Sequence, residues 1–236
     1  IFGKKLPEMI KKYNMQKGPF CVYCWRGGMR SRAIVSFLKS LNYDVIQLGG
    51  GYKQYRRFVR ESLERFPIPP LVVVYGLTGS GKTELLNQIE NSVDLEGLAE
   101  HRGSIFGDTN KSPNHQKMFE SLLLKRLIEL KDQPFLFTEG ESRRIGRIVI
   151  TESFWKAMQK GSNVRLECPF EKRLERSFKE YASGITEIKI KCIEKHLGKK
   201  KTEELLALLK ENKIKDIVKI LLLEYYEIYL NDMVWP

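Results

Sequence analysis

Twice along this chain the same punctuation recurs: a short apolar run, a glycine-containing loop, then a run with apolar residues at helical spacing. The first unit is Phe20–Tyr23 followed by Cys24-Trp25-Arg26-Gly27-Gly28-Met29-Arg30-Ser31. The second is Leu71–Tyr75 followed by Gly76-Leu77-Thr78-Gly79-Ser80-Gly81-Lys82-Thr83. A strand that feeds a helix through a tight loop and returns to a further strand is a piece of a parallel α/β sheet. Its loop turns successive backbone N–H groups inward at a helix N-terminus, which makes an anion cradle. The two cradles differ in chemistry. One offers a thiol inside a ring of donors, the other a lysine and a hydroxyl suited to a polyphosphate.

Around these loops the pattern predicts the rest of the architecture. Leu6, Met9, Ile10 and Tyr13 predict a short helix over 6–14 that Gly18-Pro19 ends. A helix from Ser31 to Ser40 carries Ile34, Phe37, Leu38 and Leu41 inward, and Val45–Leu48 is a second strand closed by Gly49-Gly50-Gly51. A helix over 52–64 leads to Phe66-Pro67-Ile68-Pro69-Pro70, a stiff extended link taken as a domain boundary between 1–66 and 67–236. The second domain reads as strand 71–75, helix from Lys82 to about Glu90, loop over 93–113, helix Gln116–Glu129 with Phe119, Leu122, Leu123 and Leu127 inward, and strand Phe135–Thr138 ending at Glu139. Helix 150–159, strand Asn163–Glu167, an amphipathic segment over 169–181 and a helical tail over 186–233 complete it, with Gly198-Lys199-Lys200-Lys201 as a solvated turn. The fold class is α/β: a partial parallel α/β domain, then a P-loop NTPase-like parallel α/β domain with a helical tail.

The charge balance indicates the partner. A net charge of +12 on 236 residues marks a polyanion as the ligand, and residues 1–66 hold 14 Lys+Arg against 4 Asp+Glu, a net +10. Lys53, Arg56, Arg57 and Arg60 recur on one helical face as a basic stripe. Such a stripe neutralises nucleic-acid phosphates, with Trp25 and Tyr52 as candidate rings for a splayed-out base. Cys21, Cys24, Cys168 and Cys192 give neither a disulfide framework nor a zinc pattern, and Cys21 is expected to point into the core. Free thiols and the lack of a signal peptide place the expected compartment in the cytoplasm, and no apolar run reaches the ~18 residues of a membrane span. The start at Ile1, so close to a catalytic-looking strand, reads as that of a cut or partial chain.

The chemistry assigned to residues follows from each cradle. Cys24 lies in the field of the loop amides and of Arg26 and Arg30, which favour its thiolate and stabilise an anion held there. The amides of Gly76–Thr83 cradle phosphates, Lys82 reaches the terminal one, and Thr83 could hold Mg²⁺. Glu139 is the natural Walker B-like carboxylate. Arg173 and Arg176 fit either a phosphate-facing lid or solvated helix charges. His101 and Arg102, in a segment dense with ionisable groups, are expected to face a phosphate, diphosphate or nucleotide, and His115 is a surface or capping residue. The motif does not separate ATP from another diphosphate. A kinase of an RNA or small-molecule acceptor, fused to a sulfur-carrier domain, therefore stands as an alternative.

The Cys24 loop resembles the active-site loop of rhodanese-like domains, with Arg30 six positions beyond the cysteine where five is usual; the longer loop makes a wider cradle. Together with Gly49-Gly50-Gly51-Tyr52-Lys53, the P-loop, Asp94–Ser104, Glu139-Gly140-Glu141-Ser142-Arg143 and Tyr225-Tyr226 with Tyr229, the chain resembles the tRNA 2-selenouridine synthase family. The resemblance implies an N-terminal rhodanese domain and a C-terminal P-loop domain acting on the wobble uridine at position 34 of tRNA. There the sulfur of 2-thiouridine is geranylated by geranyl diphosphate and then replaced by selenium from selenophosphate. It implies Cys24 with Arg26 and Arg30 in the selenium step, and the P-loop in diphosphate binding. Gly140 stands where the family more often has an acidic residue, which leaves Glu139 and Glu141 for any metal or base role. The rhodanese part is incomplete, so a further segment, missing here or encoded separately, is expected as a partner.

Overall fold

The computed structural model describes residues 19–101 and 113–226, and places the two loops in separate sheets. By its internal contacts the chain divides into two compact units, Ile1–Glu61 and Ser62–Pro236. The expected helix over 6–14 lies outside the described residues, as do Arg102 and Tyr229.

In the first unit, β1 (Phe20–Val22) pairs in parallel with β2 (Val45–Gln47), Phe20 opposite Val45 and Val22 opposite Gln47. The crossover between them is α1 (Met29–Ser40), and α2 (Gly51–Arg65) follows β2. Val35, Leu38 and Val45 form the core, with Phe20, Val22, Ile34 and Tyr43 packed against it. The inward stripe of α1 is thus Ser31, Val35 and Leu38 with Ile34 packed beside it; Ile34 and Leu38 turn in as expected, whereas Phe37 and Leu41 are 39% and 44% exposed. At 3.6 residues per turn, a face centred on Leu38 carries positions 31, 34 and 35 and rotates 37 away, while Leu41 lies past the last turn as the C-cap. Cys21 corrects a second expectation, since it is exposed. Side chains alternate along a strand; Val22 faces α1, so Cys21 and its partner Ile46 occupy the opposite face, which no described residue covers.

The second unit is built on a four-stranded parallel sheet in the order β4 (Ser92–Val93), β5 (Leu136–Glu139), β3 (Leu71–Tyr75), β8 (Ser162–Arg165). Central β3 buries Leu71, Val73 and Val74, the near-continuous apolar pattern of a strand covered on both faces. Edge strand β8 is exposed throughout. Helix α3 (Lys82–Leu86) is shorter than expected, and the expected loop after it contains β4 and α4 (Leu95–Ala99), capped by the Asp94 side chain accepting from the Gly97 N–H. Helix α5 (Gln116–Glu129) buries Phe119, Leu123, Leu124 and Leu127, with Leu124 taking the place expected of Leu122. From the end of β5 the chain makes a small antiparallel hairpin, β6 (Arg144–Ile145) and β7 (Ile148–Val149), before α6 (Glu152–Lys160).

The tail runs through α7 (Phe170–Tyr181), α8 (Glu187–Cys192), α9 (Glu194–Leu197), α10 (Lys199–Lys210) and α11 (Ile214–Ile220) into a π-helical turn, Leu221–Tyr226. Ile190, Ile193, Leu205, Ile217 and Leu222 form its own core, all fully buried. Gly198 makes a turn at φ +80°, but Lys199–Lys201 begin α10 instead of extending that turn. Lys201 is held at 3.0 Å by both Glu204 and Glu224. The amphipathic face of α10 decides this: Leu205 and Thr202 must turn inward, and the helix starts early enough to carry them.

Candidate functional site

The thiol loop is assembled from three elements. Ser31, in the first turn of α1, brings its hydroxyl to 3.2 Å from Cys24 Sγ. Gln47, on β2, donates from Nε2 to Ser31 Oγ at 2.9 Å and to the Gly27 carbonyl at 2.6 Å. The start of α2 closes the loop from the other side, where the Tyr52 and Lys53 N–H groups, otherwise orphaned at a helix N-terminus, donate to the Cys24 and Trp25 carbonyls at 2.9 Å. So close is this approach that a Cβ on Gly51, at φ +62°, would lie 2.1 Å from the Cys24 carbonyl oxygen. The Cys24 thiol is held down to about 6, first by the Ser31 hydroxyl and, against desolvation, by the N–H groups of Ser31, Gly28 and Arg26. Hydrogen bonds, not guanidinium charge, lower it. Of the two expected causes, the loop amides act as foreseen, whereas the exposed Arg26 and Arg30 side chains do not contribute.

Four aromatic rings gather beside this loop. Tyr52 contacts Trp25 at 5.7 Å and Tyr23 at 6.1 Å, and Tyr55 lies 6.1 Å beyond. Trp25 is 52% and Tyr23 58% exposed, so they offer open ring surface. Along α2, Lys53, Arg57 and Arg60 are exposed and Arg56 half-buried, and Arg57 is paired with Glu61 at 2.7 Å.

In the second unit the P-loop lies between β3 and α3. Gly79 and Gly81 take φ of +77° and +96°, which turns the backbone donors inward. Lys82 Nζ donates to the Gly76 carbonyl at 2.8 Å, and buried Ser80 Oγ has no hydrogen-bond partner among the described residues. Arg173 and Arg176 support the loop from α7: Arg173 Nε donates to the Thr78 carbonyl at 3.0 Å, Arg176 Nη1 to the Gly79 carbonyl at 2.7 Å. Arg173 is buried, and Arg176 also pairs with Glu84 at 2.9 Å. Of the two readings open from the sequence, a solvated charge does not fit buried Arg173, and both arginines bond the P-loop backbone. A loop that turns its N–H groups inward presents its carbonyls outward, and those carbonyls are what the arginines hold.

A set of carboxyls closes the site at the C-terminal ends of β4 and β5. Glu139 is 3% exposed, and its Oε1 accepts the Glu96 N–H at 2.7 Å. Burial first, and then the Asp94 charge, pushes it well above the usual range; burial also raises Asp94, which is hydrogen-bonded to it. Glu141 rises to about 8, through desolvation and then Glu96, with the Lys82 ammonium pulling the other way. Gly140 between them has no room for the acidic residue its position suggests, because a Cβ there would meet the Tyr75 ring at 2.2 Å. His101 is not shown on the P-loop; its ring packs on Gly146 at the tip of the β6–β7 hairpin, and His115 is the exposed N-cap of α5. A cavity of about 480 Å³ beside Asp94, lined also by Leu86, Gln88, Leu98 and Arg126, takes in none of the expected site residues.

The family model for the tRNA 2-selenouridine synthase AAA domain matches residues 69–221, the stretch that carries the P-loop, the carboxyls and α7. The chain belongs to the tRNA 2-selenouridine synthase family. It is 41% identical over 163 residues to the tRNA 2-selenouridine synthase of Shewanella loihica, covering 68% of this chain and 44% of that protein. With the synthases of Sulfurovum sp. and Pseudomonas syringae pv. syringae it shares 39% and 40% identity over 171 and 170 residues, 70% of this chain and 46% of each relative. The matched stretch thus spans less than half of these synthases. Among solved structures, AMPPCP-bound DnaA from Aquifex aeolicus is similar at 16% identity and a TM-score of 0.24, over 79% of this chain and 66% of that one, too weak a likeness to carry an argument. Within this selenouridine synthase family member, Gln47 is a site group outside every motif, whereas Ser31 and Asp94 lie inside motifs that assign them no role. Ser31 directly follows Arg30 and was there to be found; nothing along the chain ties Gln47 to a loop sixteen residues before it.

Proposed function

We propose that this protein replaces the sulfur of wobble 2-thiouridine in tRNA with selenium, through an S-geranyl-2-thiouridine intermediate, using geranyl diphosphate and selenophosphate. The observation that carries the reading is the presence, in one member of this family, of a thiol held near 6 in an amide nest and a P-loop faced by carboxyls of raised pKa. The P-loop amides, Lys82 and the unsatisfied Ser80 hydroxyl hold the diphosphate. As the thiocarbonyl sulfur bonds to the geranyl carbon, the carbon–oxygen bond breaks and diphosphate leaves. The uracil N3 proton must leave too, and Glu141 takes it. A thioether is then a better leaving group at C2 than a thiocarbonyl sulfur. The Cys24 nest holds the oxyanion of selenophosphate while selenium bonds to C2 and the geranyl thiol departs; water then cleaves the phosphorus–selenium bond, which releases phosphate and leaves 2-selenouridine.

The donor set also fits Mg²⁺. Thr83 presents an exposed hydroxyl after Lys82, and no described residues form an all-protein cage of three or more His, Cys, Asp or Glu. That suits an ion held mainly by phosphates and water, which would neutralise the departing diphosphate. Basic α2 and the rings of Trp25, Tyr23 and Tyr52 bind the anticodon loop and receive its splayed base.

The deciding assay incubates the protein with a 2-thiouridine anticodon stem-loop and geranyl diphosphate, then adds selenophosphate, with products read by mass spectrometry. Geranylated RNA followed by selenouridine supports the reading. ATP-dependent phosphorylation of the RNA without geranylation would replace it with the kinase alternative.

A further inference from the structure

The β6–β7 hairpin grows directly from the strand end that carries Glu139 and Glu141, and the proposed reaction gives it no role. Its fold is fixed from several sides. Ile145 and Ile148, paired across the two-residue turn Gly146–Arg147, are 0% and 2% exposed, and Ile150 just after them is 1% exposed. Gly146 takes φ +57° at the first turn position, which suits a tight hairpin. The Gln116 side chain reads the backbone of Val149 twice, donating to its carbonyl at 2.8 Å and accepting its N–H at 2.8 Å. Ser142 Oγ donates to the Arg144 carbonyl at 2.6 Å. The ring of His101 packs on the turn itself.

Such a well-anchored hairpin carries three exposed arginines. Arg143 is ion-paired with Glu152, whereas Arg144 and Arg147 have no ion pair or side-chain hydrogen bond among the described residues. Alternation along β6 turns Arg144 away from the core because Ile145 turns in, and the turn holds Arg147 at the tip. Arg144 follows Glu141 by three residues, so their Cα atoms lie within about 11 Å of each other. A rigid backbone with two unpaired guanidinium groups at the carboxyl end of a parallel sheet is preorganised for an anion, and guanidinium forks match phosphate oxygens.

We propose that Arg144 and Arg147 form a phosphate clamp on the P-loop unit that grips the RNA backbone of the acceptor next to the reacting uridine. The clamp rests on the tRNA reading above. It is separate from the α2 stripe, because it belongs to the second unit and to a rigid hairpin instead of a helix face. Its work is positional: it holds the strand at Glu141 and reads no sequence.

The test measures binding of a fluorescein-labelled anticodon stem-loop by anisotropy at several salt concentrations, with pyrophosphate binding measured in parallel. For the Arg144→Ala/Arg147→Ala protein we expect RNA binding about tenfold weaker and a salt slope smaller by roughly 1.5, with pyrophosphate affinity unchanged. Arg144→Lys/Arg147→Lys should keep the wild-type slope, since charge is retained, while losing affinity. A slope and affinity in the alanine variant equal to wild type overturn the clamp and leave the tRNA reading intact. Wild-type protein that does not bind the RNA at all overturns both.

Discussion

At the scale of single residues, the chemistry of Cys24 depends on a hydroxyl that is itself held by an amide. Ser31→Ala removes the largest stabilisation of the thiolate, so the Cys24 titration should move up from about 6. Its alkylation by iodoacetamide, followed by mass spectrometry of the Cys24 peptide across pH, measures this. A midpoint still near 6 would return the credit to Arg26 and Arg30. Gln47→Leu should move it in the same direction by a smaller step, because it loosens Ser31 without removing it. Cys24→Ala should abolish selenium incorporation and leave geranylation intact. Glu141 supplies a second pH signature. Its carboxyl is raised to about 8, so the base form grows as pH rises through that value. The geranylation rate should climb across pH 7–9 and lose this limb in Glu141→Gln, whereas Lys82→Ala should weaken geranyl diphosphate binding at every pH. Cys24, Lys82 and Glu139 could be named from spacing because each sits inside a local motif. Gln47 and Asp94 could not, since their partners are reached only through strand pairing.

At the scale of elements, short pieces and long-range supports were the hardest to read. The two-residue strand β4 and five-residue α4 are shorter than the window in which periodicity shows, so the stretch after the P-loop helix read as loop. The alternation of α1 was visible, but its centre was misplaced by about one position. Arg173 shows how much an element can change a residue's meaning. On the sequence it fits a phosphate-facing lid or a solvated helix charge alike; in the fold it is 4% exposed and bonded to the P-loop backbone. Arg173→Met should cost about 1–3 kcal/mol, because the half-buried Thr78 carbonyl loses its donor. Urea unfolding measures that loss, and diphosphate affinity should fall with it. An unchanged midpoint and affinity would mean that the carbonyl finds water at no loss. Gly51→Ala should be more severe for the first cradle: the added carbon would collide with the Cys24 carbonyl, and the raised thiol titration would report that the nest has opened.

At the scale of the whole molecule, the α/β class, the order of the two cradles and the basic first segment were legible because they rest on repeated local patterns and on charge counts. The RNA-facing surface needs adjustment in detail. Arg57 is tied to Glu61, while Lys53 and Arg60 have no ion pair among the described residues. Lys53→Ala/Arg60→Ala should therefore flatten the salt dependence of RNA binding more than Arg57→Ala does; the reverse order would mean that the Arg57 pair opens on binding. The first unit holds a broader consequence. Its sheet has two strands, neither outer edge is paired among the described residues, and Ile46 is 62% exposed on the uncovered face. An open edge accepts a chain that presents matching donors and acceptors. The first unit can therefore take a further strand from another chain. A rhodanese-type segment supplied in trans should raise the melting temperature of this unit and shield Cys21 from alkylation, and no change in either would mean that the edge stays open.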